Sequence, residues 1–436
     1  MVLNYIWIAF FVLAFIMALI KVLGYIFRDY LVQFGWQFGI DDLNIFSAMV
    51  QSTFDMAATS VTISIGLIGA MALWLGLMKI GEDGGAISIL SRIVSPFFGA
   101  LFPEVPKNHP ALGSILMNFS ANMLGLDNAA TPLGLKAMNE LQSINPQPDT
   151  ASNAQIMFLV LNASGLTIIP VSIMAIRAAN GSLNPSEVFI PILITTFSST
   201  LAGLIAVAVY QKINLLKPVV LAYLLGAISL IGLLIWYFVS LPQDKIGGAS
   251  NLLGNSIIFT IIIAFILLAL RKRINIFESF IEGAKGGFDV AVKIIPYLVA
   301  MLVAIGVFRA SGAMNLVMDL IRSLFEGINY MLTALGSETV INTKFVEALP
   351  VAIMKPLSGS GARGLMVDAM KTYGADSFIG NLSATLQGAT ETTFYVIAVY
   401  YGAVAVKKTR YTVPCALIAD IVGVVVGVIV AFIFFT

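Results

Sequence analysis

The sequence predicts an all-α, polytopic membrane protein, and three observations lead to this fold class. Apolar residues make up 59% of the 436-residue chain and charged residues only 11%, whereas about 25% of residues are charged in an average soluble domain. Several apolar runs are long enough to cross a bilayer as helices. The same order of apolar, amphipathic and interrupted segments occurs twice. We therefore predict two inverted repeats that contain broken or re-entrant helices.

Nine stretches are long and apolar enough to cross about 30 Å of hydrocarbon, which takes about 20 helical residues. They lie at roughly 2–20, 59–78, 154–178, 186–210, 218–240, 252–270, 290–310, 379–405 and 411–434. The first stretch has no small-residue cleavage pattern after it. We therefore interpret it as a retained membrane helix and not as a signal peptide.

Four further segments are apolar but interrupted. Residues 85–102 and 313–335 are interpreted as amphipathic helices. Residues 110–140 and 345–372 carry many Gly, Pro, Asn and Ser residues, and they are interpreted as broken or re-entrant helices. Irregular backbone survives at membrane depth only where protein or a water-filled cavity satisfies its polar groups. The broken helices therefore indicate a pathway for a solute.

The two halves share one order of elements: an amphipathic segment, a span, an amphipathic helix, a broken helix and two spans. Short sequence similarities support this pairing, such as FDMA at 54–57 and FDVA at 288–291. The alternative is chance similarity among apolar helices. The predicted organisation is an N-terminal membrane helix and connector at 1–40, a first repeat at 41–212, two linking membrane helices at 213–275 and a second repeat at 276–436.

Basic residues in the short connections predict the orientation of the chain. Three basic clusters mark cytoplasmic loops: Lys212 with Lys217, Arg271 with Lys272 and Arg273, and Lys407 with Lys408 and Arg410. The N-terminus is then inside and the C-terminus outside, although Lys21 and Arg28 would lie outside against the rule. The span 154–178 runs outward, whereas its counterpart 379–405 ends at a cytoplasmic cluster. Matching helices that cross in opposite senses make an inverted repeat.

The composition excludes several classes of function. A net charge of +1 gives no sign of a nucleic-acid partner. One cysteine, Cys415, and one histidine, His109, exclude a disulfide framework, cysteine-cluster sites and multi-histidine metal sites. No catalytic constellation stands out, so we expect no enzyme, no bound metal and no cofactor. The expected partners are the lipid bilayer and a small-molecule substrate, and assembly into a homo-oligomer stays open.

Four polar clusters stand in apolar surroundings, at matching places in the two halves: 118–132, 162–170, 355–361 and 387–393. Backbone carbonyls exposed at helix breaks can ligate a cation, and half-helix N-termini can hold an anion. The alternative is that these small polar residues only let helices pack closely. The predicted substrate or ion site comprises Asn122, Asp127, Asn128, Thr131, Asn162, Ser164, Ser358, Ser360, Gln387, Thr390 and Glu391.

Two acidic residues strengthen the prediction of a binding site. Glu391 is predicted near the centre of the span 379–405, where an ionised carboxylate is costly unless it is solvated, paired or protonated. Asp127 is predicted at the break in the first half. The alternative for each is a structural ion pair, with three candidate partners: Lys136, Lys355 and Arg363. Asp420 also lies within a span, but fewer polar residues surround it in sequence, so it ranks below the other two.

The same clusters resemble a known family. Three motifs resemble spore maturation protein A: NMLGL at 122–126, NAATP at 128–132 and GLKAM at 134–138. Three others resemble spore maturation protein B: PLSGSGA at 356–362, DSFIG at 376–380 and QGATETTFY at 387–395. From about residue 40 onward the chain is thus similar to the two proteins fused. Both belong to the gate, or "nucleoside recognition", group, which also includes ferrous iron transporters and concentrative nucleoside transporters.

The resemblance implies membrane transport, without fixing a nucleoside as the substrate. The chain lacks the soluble GTPase domain and the cysteine-bearing pore expected of an iron transporter. We therefore predict secondary transport of a small polar solute, a nucleoside-like or anionic metabolite, driven by Na⁺ or H⁺. The expected location is the bacterial cytoplasmic (inner) membrane. The alternative function is a non-transporting membrane scaffold in cell-envelope or spore-cortex maturation.

Overall fold

The computed structural model describes residues 2–106, 108–125, 127–334 and 340–436, with all side chains in these ranges except those of residues 2, 3 and 127–129. All regular structure in this part of the chain is helical, apart from one isolated parallel bridge between Thr150 and Lys408. The predicted all-α class is therefore confirmed.

The α-helices of the described residues fall into two similar sets joined by a linking pair. The first set is α1 (Val2–Ile26), α2 (Arg28–Leu31), α3 (Ile40–Leu43), α4 (Ile45–Gly84), α5 (Ala86–Leu101), α6 (Pro110–Met123), α7 (Asp127–Ser143), α8 (Asn153–Ser164), α9 (Val171–Ala179) and α10 (Phe189–Gln211). The linking pair is α11 (Pro218–Ser240) and α12 (Gln243–Arg271). The second set is α13 (Ile276–Ala310), α14 (Ala313–Ala334), α15 (Leu349–Met354), α16 (Gly359–Tyr373), α17 (Phe378–Gly388), α18 (Thr393–Ala403) and α19 (Thr412–Phe434). Short 3₁₀ helices lie at Val32–Phe34, Pro185–Val188 and Thr343–Ala348.

Seven helices in the described part of the chain are long and apolar enough to cross a membrane. They are Asn4–Ile26, Ile45–Gly84, Pro185–Gln211, Pro218–Ser240, Gln243–Arg271, Ile276–Ala310 and Thr412–Phe434. Seven of the nine predicted spans correspond to them, within a few residues at the ends. The other two predictions, 154–178 and 379–405, are wrong as continuous helices, because each stretch is interrupted near its middle.

The first interruption separates α8 from α9 and follows from local sequence. Gly165 ends α8 in the left-handed conformation, with φ of 64°, which glycine adopts at little cost. Pro170 then precedes α9 directly, and proline has no backbone N–H to continue a helical hydrogen-bond ladder. Residues 165–170 therefore form a break inside a largely buried element.

The second interruption, residues 389–392 between α17 and α18, follows from tertiary contacts. The Glu391 backbone N–H donates to the Ala163 carbonyl at 2.9 Å, and the Phe394 N–H donates to the Pro356 carbonyl at 2.9 Å. These bonds use backbone groups that a continuous helix would pair internally. The structure thus corrects the predicted position of Glu391, which lies exposed in a break and not at the centre of a continuous helix.

The two sets of helices repeat the same order of elements. Each contains a long helix (α4, α13), an amphipathic helix (α5, α14), a broken hairpin (α6–α7, α15–α16), a discontinuous helix (α8–α9, α17–α18) and a final span (α10, α19). The predicted amphipathic helices at 85–102 and 313–335 correspond to α5 and α14. The predicted broken helices at 110–140 and 345–372 correspond to the two hairpins.

The two discontinuous helices run antiparallel. At one end, the loop before α8 pairs with the loop after α18, since the Asp149 carbonyl accepts from the N–H groups of Lys407 and Lys408. At the other end, Arg177 of α9 donates to the Ala375 carbonyl just before α17. Opposed directions are expected of an inverted repeat, and the axis that relates the two halves stays a prediction.

The helices α4 and α13 form the most extensive helix–helix contact of the described structure. Glycines on α13 bring the two backbones together, because a Cβ on Gly283 would overlap the Leu75 carbonyl and a Cβ on Gly287 would overlap the Ala72 backbone. Glycines four residues apart are a common device for close helix packing in membranes. At Gly283 and Gly287 the backbone of one half therefore lies directly against the backbone of the other, and the Phe280 side chain packs on Gly76 nearby.

Candidate functional site

The four helix breaks meet at one place, which we name the central break cluster (residues 123–125, 165–170, 355–358 and 389–392). Three backbone hydrogen bonds connect them in series: Ile168 N–H to the Met123 carbonyl at 2.7 Å, Glu391 N–H to the Ala163 carbonyl at 2.9 Å, and Phe394 N–H to the Pro356 carbonyl at 2.9 Å. In each half the hairpin break is thus bonded to the discontinuous helix of the same half. The two discontinuous helices are then bonded to each other.

The depth of the cluster follows from helix lengths. The half-helices α17 and α18 contain 11 residues each, which corresponds to about 16 Å on either side of their break. The half-helices α8 and α9 contain 12 and 9 residues, or about 18 and 14 Å. In a hydrocarbon core of about 30 Å the cluster would lie near the middle.

Half-helix termini of both polarities point at the cluster. The N-terminal ends of α7, α9, α16 and α18 meet there, as do the C-terminal ends of α6, α8, α15 and α17. Free N–H groups at a helix start favour an anionic or strongly polar group, and free carbonyls at a helix end favour a cation. The backbone alone therefore offers positions for a polar solute and for a cation.

Two predicted amide side chains come together in the first half. The Asn122 Nδ2 atom donates to the Asn162 Oδ1 atom at 2.8 Å, and the Asn162 Nδ2 atom donates to the Phe158 carbonyl at 2.9 Å. Asn118, one turn before Asn122, donates to the Ala130 carbonyl at 2.8 Å. These bonds join α6 to α8 and to α7, so the amides both position the hairpin and border the cluster.

Three predicted residues come together in the second half. The Ser358 hydroxyl caps α16 by accepting from the Gly361 N–H at 3.0 Å, and it lies 3.2 Å from the Ser360 hydroxyl. The Gln387 Nε2 atom donates to the Gly359 carbonyl at 3.4 Å. The Gln387 Oε1 atom is buried without a hydrogen-bond partner, which costs roughly 1–3 kcal/mol. A ligand with an N–H or O–H group would satisfy this acceptor.

The remaining first-half residues of the predicted site are less informative. The Ser164 hydroxyl is buried and donates to the Leu161 carbonyl within its own helix at 2.9 Å. Thr131 is exposed on α7. The side chains of Asp127 and Asn128 lie outside the described residues.

The second break places its residues in different surroundings. Glu391 is exposed, and its backbone lies directly against Gly165, where an added Cβ would be 2.8 Å from the Glu391 nitrogen. Thr390 is buried and hydrogen-bonds to the Asp420 carboxylate. Thr392 approaches Gly359, where an added Cβ would be 2.6 Å from the Thr392 hydroxyl. Small residues thus allow the breaks to touch.

Asp420, which the sequence ranked below Glu391 and Asp127, has polar neighbours in the structure. Its carboxylate is buried and accepts from the Thr393 hydroxyl at 2.8 and 3.0 Å, beside the second break. Lys355 is also buried and interacts with it electrostatically. The signal available in the sequence was an ionisable residue inside an apolar span, which is a functional-site candidate by default.

A second feature that the sequence did not reveal is a buried arginine. Arg177 is fully buried at the end of α9 and forms an ion pair with Asp376 at 2.9 Å. Its guanidinium also donates to several other oxygens: the carbonyls of Ala375, Asn184 and Pro185, and the Ser182 hydroxyl. The bonds to Ala375 and Asp376 join the end of α9 to the residues before α17, and the others hold the loop after α9, so Arg177 closes one end of the discontinuous pair.

The opposite end of the pair is closed by backbone bonds and exposed charges. The Thr150 hydroxyl, together with Lys408, holds the pKa of the Asp149 carboxyl below its usual range. Asp149 therefore stays ionised at neutral pH. A pocket of about 400 Å³ opens beside this loop, away from the central break cluster. It is lined by Glu104, Asn145, Pro146, Gln147, Thr150, Ala151, Ser152, Asn153 and Arg410.

These features define a multi-pass membrane protein with paired discontinuous helices. A family model described as "Gate: Nucleoside recognition" matches residues 64–214. Spore maturation protein B of Bacillus subtilis (strain 168) is 41% identical over 185 residues, which cover 42% of this chain and 96% of that protein. Spore maturation protein A of the same organism is 43% identical over 155 residues, covering 36% of this chain and 79% of that protein. No solved structure matches significantly.

The chain therefore belongs to the family of spore maturation proteins A and B, and its residues 64–214 form a gate, or nucleoside recognition, domain. The resemblance inferred from its motifs is confirmed.

Proposed function

We propose that the protein is a secondary transporter that binds a small polar solute at the central break cluster and carries it across the bacterial inner membrane. One observation supports this most: the breaks of two antiparallel discontinuous helices touch through the Glu391–Ala163 backbone bond. Secondary transporters commonly hold their substrate near the midplane between such helices. The gate domain at residues 64–214 agrees with this proposal.

The chemistry at the cluster supports a nucleoside-like or anionic metabolite as the substrate. Four half-helix N-termini favour negative or strongly polar groups. The unpaired Gln387 Oε1 atom requires a donor, and the exposed Glu391 carboxylate adds a second acceptor. A solute with several hydroxyl or amide groups would satisfy both side chains.

Ligand-induced stabilisation of the purified protein tests solute binding. The probes are uridine and, as an anionic metabolite, succinate. We expect one of them to raise the Tm in a saturable manner, and Gln387→Ala to weaken its affinity by roughly tenfold, as expected for loss of one or two buried hydrogen bonds. Gln211→Ala is the matched control, because Gln211 also donates to a carbonyl, that of Asn153, at the far end of α10.

Uptake of the binding probe into proteoliposomes tests transport itself. Glu391→Gln removes the exposed charge at the break, and we expect it to weaken uptake at every pH. Normal uptake with an unaltered pH profile would make Glu391 a structural residue. Binding without uptake, or no stabilisation by either probe, would contradict the transporter proposal.

A membrane scaffold in cell-envelope or spore-cortex maturation is the second candidate function. The direct backbone contact between the two breaks is equally consistent with this function, because a scaffold would also pack these segments against each other. Two homologous proteins also carry spore maturation in their names. A scaffold would bind neither probe, and Gln387→Ala would then behave like Gln211→Ala.

A further inference from the structure

A buried carboxylate lies beside the second break, away from the amides of the predicted site. Asp420 of α19 is only 4% exposed. Its two oxygens share one donor, the Thr393 hydroxyl, and Thr390 supplies a further hydrogen bond. A carboxylate offers about four acceptor positions. Asp420 therefore retains acceptor capacity in a place that is shielded from solvent.

A serine of α10 with an unpaired hydroxyl lies close to this part of α19. Ser199 is 0% exposed, and its Oγ atom has no hydrogen-bond partner. Its position is known relative to Gly423: a Cβ added at Gly423 would lie 3.4 Å from the Ser199 Cβ atom and 3.0 Å from the Thr390 Cγ2 atom. Gly423 follows Asp420 by three residues on α19, so the two share a helix face. Ser199, Thr390 and Asp420 therefore border one small region.

Backbone oxygen completes the set of ligands. The Ala389 carbonyl would lie 3.5 Å from the same Cβ position on Gly423. It belongs to the C-terminal end of α17, where free carbonyls carry negative partial charge. The region therefore brings together carboxylate, hydroxyl and carbonyl oxygens, and these are the ligands of a hard cation.

We propose that this region binds Na⁺, with Asp420, Thr390, Ser199 and the Ala389 carbonyl as ligands. A monovalent ion fits better than a divalent one, because the region holds one carboxylate and Lys355 already interacts with it electrostatically. The carbonyls of an unwound helix are a recurrent Na⁺ ligand in transporters. The bound ion would touch the break that carries Glu391. Its role in coupling rests on the proposed transport function, whereas its binding does not.

The thermal stability of the purified protein in different salts tests the site. NaCl is titrated against KCl and choline chloride at constant ionic strength. We expect a saturable rise in Tm with Na⁺ alone, and no such rise in Asp420→Asn. Ser199→Ala should fold normally, because its hydroxyl has no partner to lose. It should raise the Na⁺ concentration at half-effect by roughly fivefold, as expected for one lost ligand contact.

Asp319→Asn serves as the control, since Asp319 is an exposed carboxylate on α14. It should respond to Na⁺ like the wild-type protein. A Na⁺ response that survives in both Asp420→Asn and Ser199→Ala would overturn the proposal. Stabilisation by low pH in the absence of Na⁺ would also overturn the proposal, since the Asp420 carboxylate would then bind a proton. Solute binding without a Na⁺ response would refute this Na⁺ site and leave the proposed function standing. A Na⁺ response without solute binding would support the Na⁺ site and contradict the proposed function.

Discussion

Gly165 is the residue through which the two discontinuous helices touch. Its φ of 64° lies in the left-handed region, and an added Cβ would lie 2.8 Å from the Glu391 nitrogen. Because the contacting atom belongs to the backbone, it cannot move aside as the end of a flexible side chain could. The absence of a side chain at Gly165 therefore sets how closely the breaks approach.

We expect Gly165→Ala to lower the free energy of unfolding by roughly 2–4 kcal/mol, because left-handed strain of about 1–2 kcal/mol adds to a backbone clash. Gly181→Ala is the matched control: Gly181 has φ of 82° and nothing within 4 Å of an added Cβ. That variant should lose about 1 kcal/mol only. Denaturant unfolding in detergent measures the free energy of unfolding of both variants. Equal decreases would show that the contact between Gly165 and Glu391 does not contribute to stability.

The helices α9 and α17 are held together by Arg177, which is fully buried. We expect Arg177→Met to destabilise the protein by roughly 2–4 kcal/mol, because it leaves Asp376 and several carbonyls without their donor. In this variant the Asp376 carboxylate still accepts a hydrogen bond from the Leu183 N–H at 2.8 Å, which limits the loss of stability. Thermal unfolding of the purified variant measures the effect.

Lys408→Met is the control for this prediction. Lys408 pairs with Asp149 at 3.3 Å, and both side chains are more than half exposed. Exposed ion pairs contribute about 0–1 kcal/mol. A loss in Lys408→Met as large as that in Arg177→Met would contradict the special role assigned to the buried arginine.

Local sequence predicted the helices well and the second break only in part. Apolar runs of about 20 residues identify spans because the hydrocarbon thickness fixes their length. Gly165 and Pro170 mark the first break in the chain itself. The break at 389–392 also depends on bonds to Ala163 and Pro356, which belong to other elements. Such bonds form only once the helices cross, so a continuous span was predicted there.

The candidate site shows the same limit. Asn122 and Asn162 were predicted together because both stand beside helix-breaking residues, and they share a hydrogen bond. Asp420 and Ser199 lie in apolar spans with no break nearby in sequence. What brings them to the second break is the packing of α10 and α19 around it. No local pattern contains that information.

The ends of α10 offer a test of how the whole molecule lies in the membrane. This helix has 23 residues and is about 34 Å long, so its two ends lie on opposite sides of a bilayer. Leu183, before it, is 88% exposed, and Leu216, after it, is 75% exposed. The basic residues Lys212 and Lys217 predict that Leu216 is cytoplasmic.

We expect Leu183→Cys to react with a membrane-impermeant maleimide in intact cells, and Leu216→Cys to react only after permeabilisation. The experiment uses a Cys415→Ala background, although the native thiol is fully buried. The two positions are matched in residue type and exposure, so accessibility from each side is the only variable. Reaction of both from one side would refute the predicted topology.

The glycine crossing of α4 and α13 constrains how one half can move against the other. The contact does not end at Gly283 and Gly287, because the Phe280 side chain lies against Gly76 and Gly306 lies against Ser52. The pairing therefore runs along much of both helices, with backbone and side chains in contact in turn. We expect α4 and α13 to move together as one rigid unit, so that any movement between the two halves takes place in the shorter helices around them.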